Sequence, residues 1–135
     1  MPAEDALVLV AAGLVGLAVG SFIAAAAWRL PRGMPVAVAR SACPRCGHRL
    51  TPSELVPVLS WIVQRGRCRK CRAPVSAYYA IVESACALAA IIALLFARGW
   101  AVAAICAAAW GAIALAAWLW AWRQSSAALS GKPRP

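Results

Sequence analysis

Four cysteines stand as two Cys-x-x-Cys pairs, Cys43-Pro44-Arg45-Cys46 and Cys68-Arg69-Lys70-Cys71, with 21 residues between them. A pair at this spacing sets two thiolates on one tight turn, and two such turns face to face form the tetrahedral four-sulfur cage that Zn²⁺ prefers. Gly47 follows Cys46, where the backbone must turn so that its N–H groups point at sulfur, and glycine permits that turn. Pro74 closes the second pair. Zn²⁺ with four thiolates sums to about −2, and Arg45, Arg67, Arg69, Lys70 and Arg72 surround that charge. His48 is the competing ligand, but four sulfurs already complete the shell. All-cysteine zinc sites are closed, so the metal is expected to build the loop rather than to react. A thioredoxin-like redox site needs one pair on a βαβ frame, and this chain has two pairs and no such frame. Cys86 and Cys106 lie in apolar stretches and read as small buried hydrophobes. The other residue with chemical potential is Glu83. It stands inside an apolar stretch, where a carboxylate is expensive and must be paired or protonated. Arg29, near the end of the first apolar stretch, is its expected partner; a functional carboxylate is the competing reading.

The elements that position these residues follow from hydropathy. The chain has 135 residues, 64% of them hydrophobic, and a mean hydropathy of +0.74. A soluble domain is nearer half apolar. The excess is segmental, in residues 6–30, 77–96 and 100–122, and a membrane span needs about 20 predominantly apolar residues. The expected fold is an all-α membrane protein of three transmembrane helices with a small zinc-ribbon-like cytoplasmic loop domain. Residues 1–30 hold the first helix, 31–74 the zinc-binding loop, 75–97 the second helix, 100–122 the third and 123–135 a disordered cytoplasmic tail. The first apolar run is too long for a signal peptide, and Glu4 and Asp5 precede it where basic residues belong. Gly16, Gly20 and Ala24 share one helix face and allow a neighbour to approach closely. Leu30-Pro31 ends that helix. In the loop, Thr51-Pro52-Ser53-Glu54 reads as a helix start, and Pro57 cuts short whatever begins there. Leu50, Leu55, Val56, Val58, Leu59, Trp61 and Ile62 are the candidates for a modest apolar centre.

Net charge is +10, and ten of the fourteen Lys and Arg lie between Arg29 and Arg72. The positive-inside rule then places the loop and the C-terminus in the cytoplasm and the N-terminus outside. On a membrane protein such charge reports topology and attraction to the lipid bilayer, so nucleic acid is not an expected partner.

Gly20-Ser21-Phe22, Arg29-Leu30-Pro31-Arg32, Cys43-Pro44-Arg45-Cys46-Gly47, Val56-Pro57-Val58-Leu59-Ser60-Trp61, Arg65-Gly66-Arg67-Cys68-Arg69-Lys70-Cys71 and Tyr79-Ala80-Ile81-Val82-Glu83 occur in this order. The series resembles the N-terminal domain of the type IV prepilin peptidases, bifunctional leader peptidase/N-methyltransferases of the bacterial inner membrane. The resemblance covers roughly residues 13–90. It implies zinc on Cys43, Cys46, Cys68 and Cys71, and a part in processing type IV pilins or type II secretion pseudopilins. It associates the loop with S-adenosylmethionine-dependent methylation, for which Gly66 and Glu83 are the candidate residues. No soluble-type nucleotide-binding loop supports that cofactor independently. The family cleaves with two membrane aspartates in a C-terminal domain, and this chain carries only Glu4, Asp5, Glu54 and Glu83. Such chemistry needs two carboxylates sharing one site, so cleavage by this chain alone is not expected. Phe22 is not followed by the family's usual Asn, and Ala77-Tyr78-Tyr79-Ala80 replaces its Arg-Tyr-Pro. Three functions follow: a zinc-bearing half that works with a separate aspartate-bearing peptidase half on prepilin-like substrates; a stand-alone N-methyltransferase; a non-catalytic membrane zinc scaffold.

Overall fold

A computed structural model describes residues 2–36 and 40–129. The architecture is all-helical: α1 (Ala3–Arg29), a short α2 (Leu59–Val63), α3 (Tyr78–Phe96) and α4 (Trp100–Leu129), with 3-10 turns at Leu30–Arg32 and Pro52–Glu54. Among the described residues, three helices are long and apolar enough to cross a membrane: α1 with the turn that follows it, α3, and α4 as far as Ser126. The loop domain hangs between the first two.

The helix ends follow local chemistry. The α-helical part of the first span stops at Arg29. Pro31 then sits in a 3-10 turn, and Gly33, at φ 64°, reverses the chain so that the Met34 amide donates to the Arg29 carbonyl at 3.1 Å. Gly99, also left-handed, makes the tight link between α3 and α4. The expected tail from residue 123 is instead helical as far as Leu129. No glycine or proline interrupts it before Gly131, and the Ser125 and Ser126 hydroxyls bond back to the Trp122 carbonyl rather than competing for backbone amides. Residues 130–135 lie outside the described residues.

α1 packs mainly along α3, and α4 lies across both. The small-residue face does this work. A Cβ at Gly16 would stand 2.5 Å from the Ala87 Cα, and one at Gly20 would stand 2.6 Å from the Glu83 Cα. The backbones therefore touch where the glycines are, which is how apolar helices gain packing energy in lipid. Cys86 is fully buried at this seam, as a packing residue. The Trp110 indole donates to the Cys86 carbonyl at 3.0 Å and ties α4 to α3. At the loop end, Tyr78 stacks on Trp120 with ring centroids 4.6 Å apart, and the Arg32 guanidinium lies 3.5 Å over the Trp28 ring.

The loop does not form the apolar centre expected of it. Leu55, Val56, Leu59 and Ile62 are exposed, and among the described residues the buried cluster around the knuckles is Cys43, Cys68 and Ala73. With one short helix and two tight turns, the segment has too little chain to wrap those side chains.

The backbone contacts make a sharp expectation. Gly16→Val and Gly20→Val should each destabilise the helix bundle in detergent by about 2 kcal/mol or more, because the neighbour is backbone and cannot yield. Gly13→Ala, whose Cβ would meet only the Ile91 side chain at 3.4 Å, should be nearly neutral. Thermal unfolding followed by circular dichroism distinguishes the two.

Candidate metal centre and its membrane anchor

The two cysteine turns are built alike. In the first, the Cys43 amide donates to the His48 carbonyl at 2.9 Å and the Gly47 amide to the Cys43 carbonyl at 2.9 Å. In the second, Cys68 donates to Ala73 at 2.8 Å and Arg72 to Cys68 at 2.9 Å. Each turn is closed by one antiparallel bridge, Ala42 with Arg49 and Arg67 with Pro74. The residue after the second cysteine is left-handed in both, Gly47 at φ 68° and Arg72 at φ 59°. Arg72, rather than Pro74, is therefore the counterpart of Gly47. An arginine there lacks the glycine signature, so the equivalence is invisible in the sequence.

This arrangement brings the four sulfurs of Cys43, Cys46, Cys68 and Cys71 within 4.8 Å of one another. Cys43 faces Cys71 at 3.8 Å and Cys46 faces Cys68 at 3.9 Å. A Zn–S bond of about 2.3 Å makes the edge of a sulfur tetrahedron roughly 3.8 Å. The cluster thus has the size and donor set to hold a metal ion such as zinc. Amides aim at the sulfurs as the turn requires. The Cys46 and Arg45 amides hold the Cys43 thiol down to about 6, and those of Cys71 and Lys70 lower Cys68. The His48 amide acts in the same sense on Cys46, but desolvation and the three neighbouring sulfurs outweigh it and push that thiol up to about 11. Four thiols this close cannot all ionise without a cation among them, and a divalent metal would supply it.

His48 stands outside the four-sulfur cluster. Its Nε2 meets the Glu54 carboxylate at 3.2 Å. Glu54 also accepts from the Thr51 amide and hydroxyl, both at 2.9 Å, closing the capping box that starts the 3-10 turn. These bonds, the Thr51 amide first, hold its carboxyl below the usual range.

Gly66 turns the chain from α2 into the second knuckle. Its φ is 63°, and a Cβ would stand 2.9 Å from the Trp61 ring. The Trp61 indole donates to the Val75 carbonyl at 3.1 Å, and the Val75 amide to the Gly66 carbonyl at 2.8 Å. Gly66 is thus required by packing and backbone conformation.

Glu83 does not pair with Arg29. The Arg29 guanidinium donates to the Val36 carbonyl at 2.8 Å and the Ser41 hydroxyl at 3.2 Å. Glu83 accepts from the Ser21 hydroxyl at 2.6 Å and the Val58 amide at 2.7 Å. The reason is depth. Glu83 lies level with Gly20 and Ser21, and Arg29 is two turns further along α1, about 12 Å at the helical rise. Sequence reasoning missed Ser21 and Val58. Ser21 stands next to the glycine that makes the closest approach, which is a usable signal. Val58 has none: it adopts φ 57° and ψ −50° with its neighbours bonded across it from the Leu59 amide to the Pro57 carbonyl, a strained γ-turn for a β-branched residue.

Two expectations follow. Cys43→Ser with Cys71→Ser should lose bound metal and unfold the loop while leaving the spans inserted, and Arg72→Gly should strengthen metal retention against chelator by about 1 kcal/mol by removing left-handed strain. Metal analysis and chelator competition measure both. In a double-mutant cycle, Ser21→Ala and Glu83→Gln should couple by about 1 kcal/mol, while Arg29→Gln and Glu83→Gln should simply add.

Comparison with known proteins shows the family of the chain. The sequence profile of the Bacterial Peptidase A24 N-terminal domain matches residues 14–97. The chain is 46% identical over 70 residues to the prepilin leader peptidase/N-methyltransferase of Myxococcus xanthus, covering 52% of this chain and 21% of that protein. To the protein of the same name from Burkholderia pseudomallei it is 44% identical over 124 residues, covering 70% and 40%. To that from Bacillus subtilis it is 40% identical over 79 residues, covering 57% and 32%. The chain therefore spans 21–40% of the length of these relatives. No solved structure matches it. The matched residues take in both knuckles, the Ser21–Glu83–Val58 contact and the glycine seam, and on that ground the chain belongs to the bacterial peptidase A24 N-terminal domain family.

Proposed function

We propose that this chain is a zinc-bearing N-terminal module for prepilin processing, which supports an aspartate-bearing peptidase half without cleaving by itself. The observation that carries this reading is the joining of a closed four-sulfur cage to a membrane anchor, in a family match that covers the cage and the anchor together. The acids support the second part. Glu83 is engaged by Ser21 and Val58, Glu54 by Thr51 and His48, and Glu4 and Asp5 lie in the first turn of α1, at the far end from the loop. No two of them share the site that paired-carboxylate hydrolysis requires.

Zinc in this reading is structural. A shell of four cysteines leaves no open position for substrate or water. Its work is to hold the loop in one shape at the loop end of the spans, where a pilin-like substrate or the peptidase half would dock. The ten Lys and Arg between Arg29 and Arg72 support a cytoplasmic loop in a multi-pass inner-membrane protein with its N-terminus outside. Gly66 and Glu83 belong in this reading as positioning residues: one shapes the second knuckle and the other fixes the loop to the spans.

Purified chain mixed with a leader-bearing prepilin should release no leader. Adding a separately expressed aspartate-bearing half should restore release, and the Cys43→Ser, Cys71→Ser variant should fail to do so. Release by the chain alone overturns the reading. Methylation of a processed pilin N-terminus by the chain alone, with S-adenosylmethionine, replaces it with the stand-alone methyltransferase. Failure of the chain to affect a peptidase half in any assay leaves the scaffold.

A further inference from the structure

The loop carries an apolar face with no covering within the described residues. Leu59, Ile62 and Val63 are 57%, 58% and 72% exposed. Trp61, from the same short helix, is bonded inward at Val75 and packed on Gly66. Beside the aliphatic face lies an open concavity of about 820 Å³, lined by Val56, Leu59 and Val63 together with Arg65, Arg67 and Arg69. Glu54 and Cys68 also line it, but the Glu54 carboxylate is turned onto Thr51 and His48. Between residues 40 and 72 there are eight Lys and Arg and one acid.

The depth of this groove is set by the Glu83 contact. α3 has 19 residues. At the helical rise it is about 28 Å long, barely the roughly 30 Å of a hydrocarbon core. Its whole length is needed to cross, so its first turns lie at the boundary between acyl chains and headgroups. Glu83 is in the second turn, and it holds the Val58 amide, the residue immediately before α2. α2 is therefore tethered within about 8 Å of that boundary. Aliphatic side chains exposed there meet acyl chains rather than water, and guanidinium groups beside them meet phosphate.

We propose that this groove seats the headgroup of an anionic phospholipid, with Leu59, Ile62 and Val63 entering the leaflet at the loop end of the spans. Zwitterionic lipids offer the same phosphate with a compensating cation, which the arginines oppose. A free phosphate or an acidic peptide would satisfy the arginines and leave the aliphatic face unexplained.

The test uses the full chain. By native mass spectrometry from mixed micelles, it should retain phosphatidylglycerol in preference to phosphatidylcholine. The variant Arg65→Gln, Arg67→Gln, Arg69→Gln should lose that preference by on the order of a hundredfold. Leu59→Ser with Val63→Ser should weaken retention, both variants being compared with wild type as metal-replete samples so that folding of the loop is controlled. Inorganic phosphate should not displace the lipid. In wild-type protein, amide exchange over residues 55–72 should be slower in nanodiscs containing phosphatidylglycerol than in those of phosphatidylcholine alone. Equal retention of both lipids, unchanged preference in a metal-replete arginine variant, or identical exchange in the two discs overturns the proposal. Displacement by inorganic phosphate assigns the groove to a small anion instead, and displacement by an acidic peptide assigns it to a protein; either also overturns it.

Discussion

A carboxylate two turns inside an apolar helix has to find donors, and Glu83 finds two from different parts of the chain. The Ser21 hydroxyl reaches it from α1 and the Val58 amide from the loop, at 2.6 and 2.7 Å. One side chain thereby joins α1, α3 and the segment that enters α2. The pair can meet because Gly20 lets α1 lie against the backbone of α3 at that level. The Val58 backbone bends into a positive-φ conformation that a β-branched residue avoids, at a cost on the order of 1–3 kcal/mol. Such strain persists because leaving a carboxylate near the membrane unsatisfied would cost as much or more.

The second constraint is the sulfur cluster. Among the described residues, the loop buries almost nothing apolar besides two of its own cysteines and Ala73. A segment of this size without a core depends on a staple, and binding free energy at a metal site is then folding free energy. The two knuckles share one hydrogen-bonding scheme, so the cage is assembled from a repeated local device. The Glu54–His48 contact braces the first knuckle, and the Trp61–Gly66 packing braces the second. A metal held by the four sulfurs would staple the loop internally, and Glu83 ties it externally to the spans. Its aliphatic side chains Leu55, Leu59, Ile62 and Val63 are left exposed.

Much of this was legible in the chain. Three apolar runs of bilayer length dictate three helices, because lipid offers backbone groups no other partner. Two Cys-x-x-Cys pairs dictate a four-sulfur cluster, because the spacing already makes each half of it. Gly16, Gly20 and Ala24 mark a close helix contact, because period and size are both local properties. The tertiary structure alone decided what depends on depth and register. Arg29 and Glu83 look like partners when only their helices are known, and are separated once α1 is slid against α3 so that Gly20 meets Glu83. The acid's real partners are a serine with no charge to announce it and an amide that every residue but proline possesses. Likewise Arg72 takes the left-handed place of a glycine, and the aliphatic residues of the loop turn outward. Pattern shows which side chains are costly to leave alone; only the packed chain shows which donors come within reach of them.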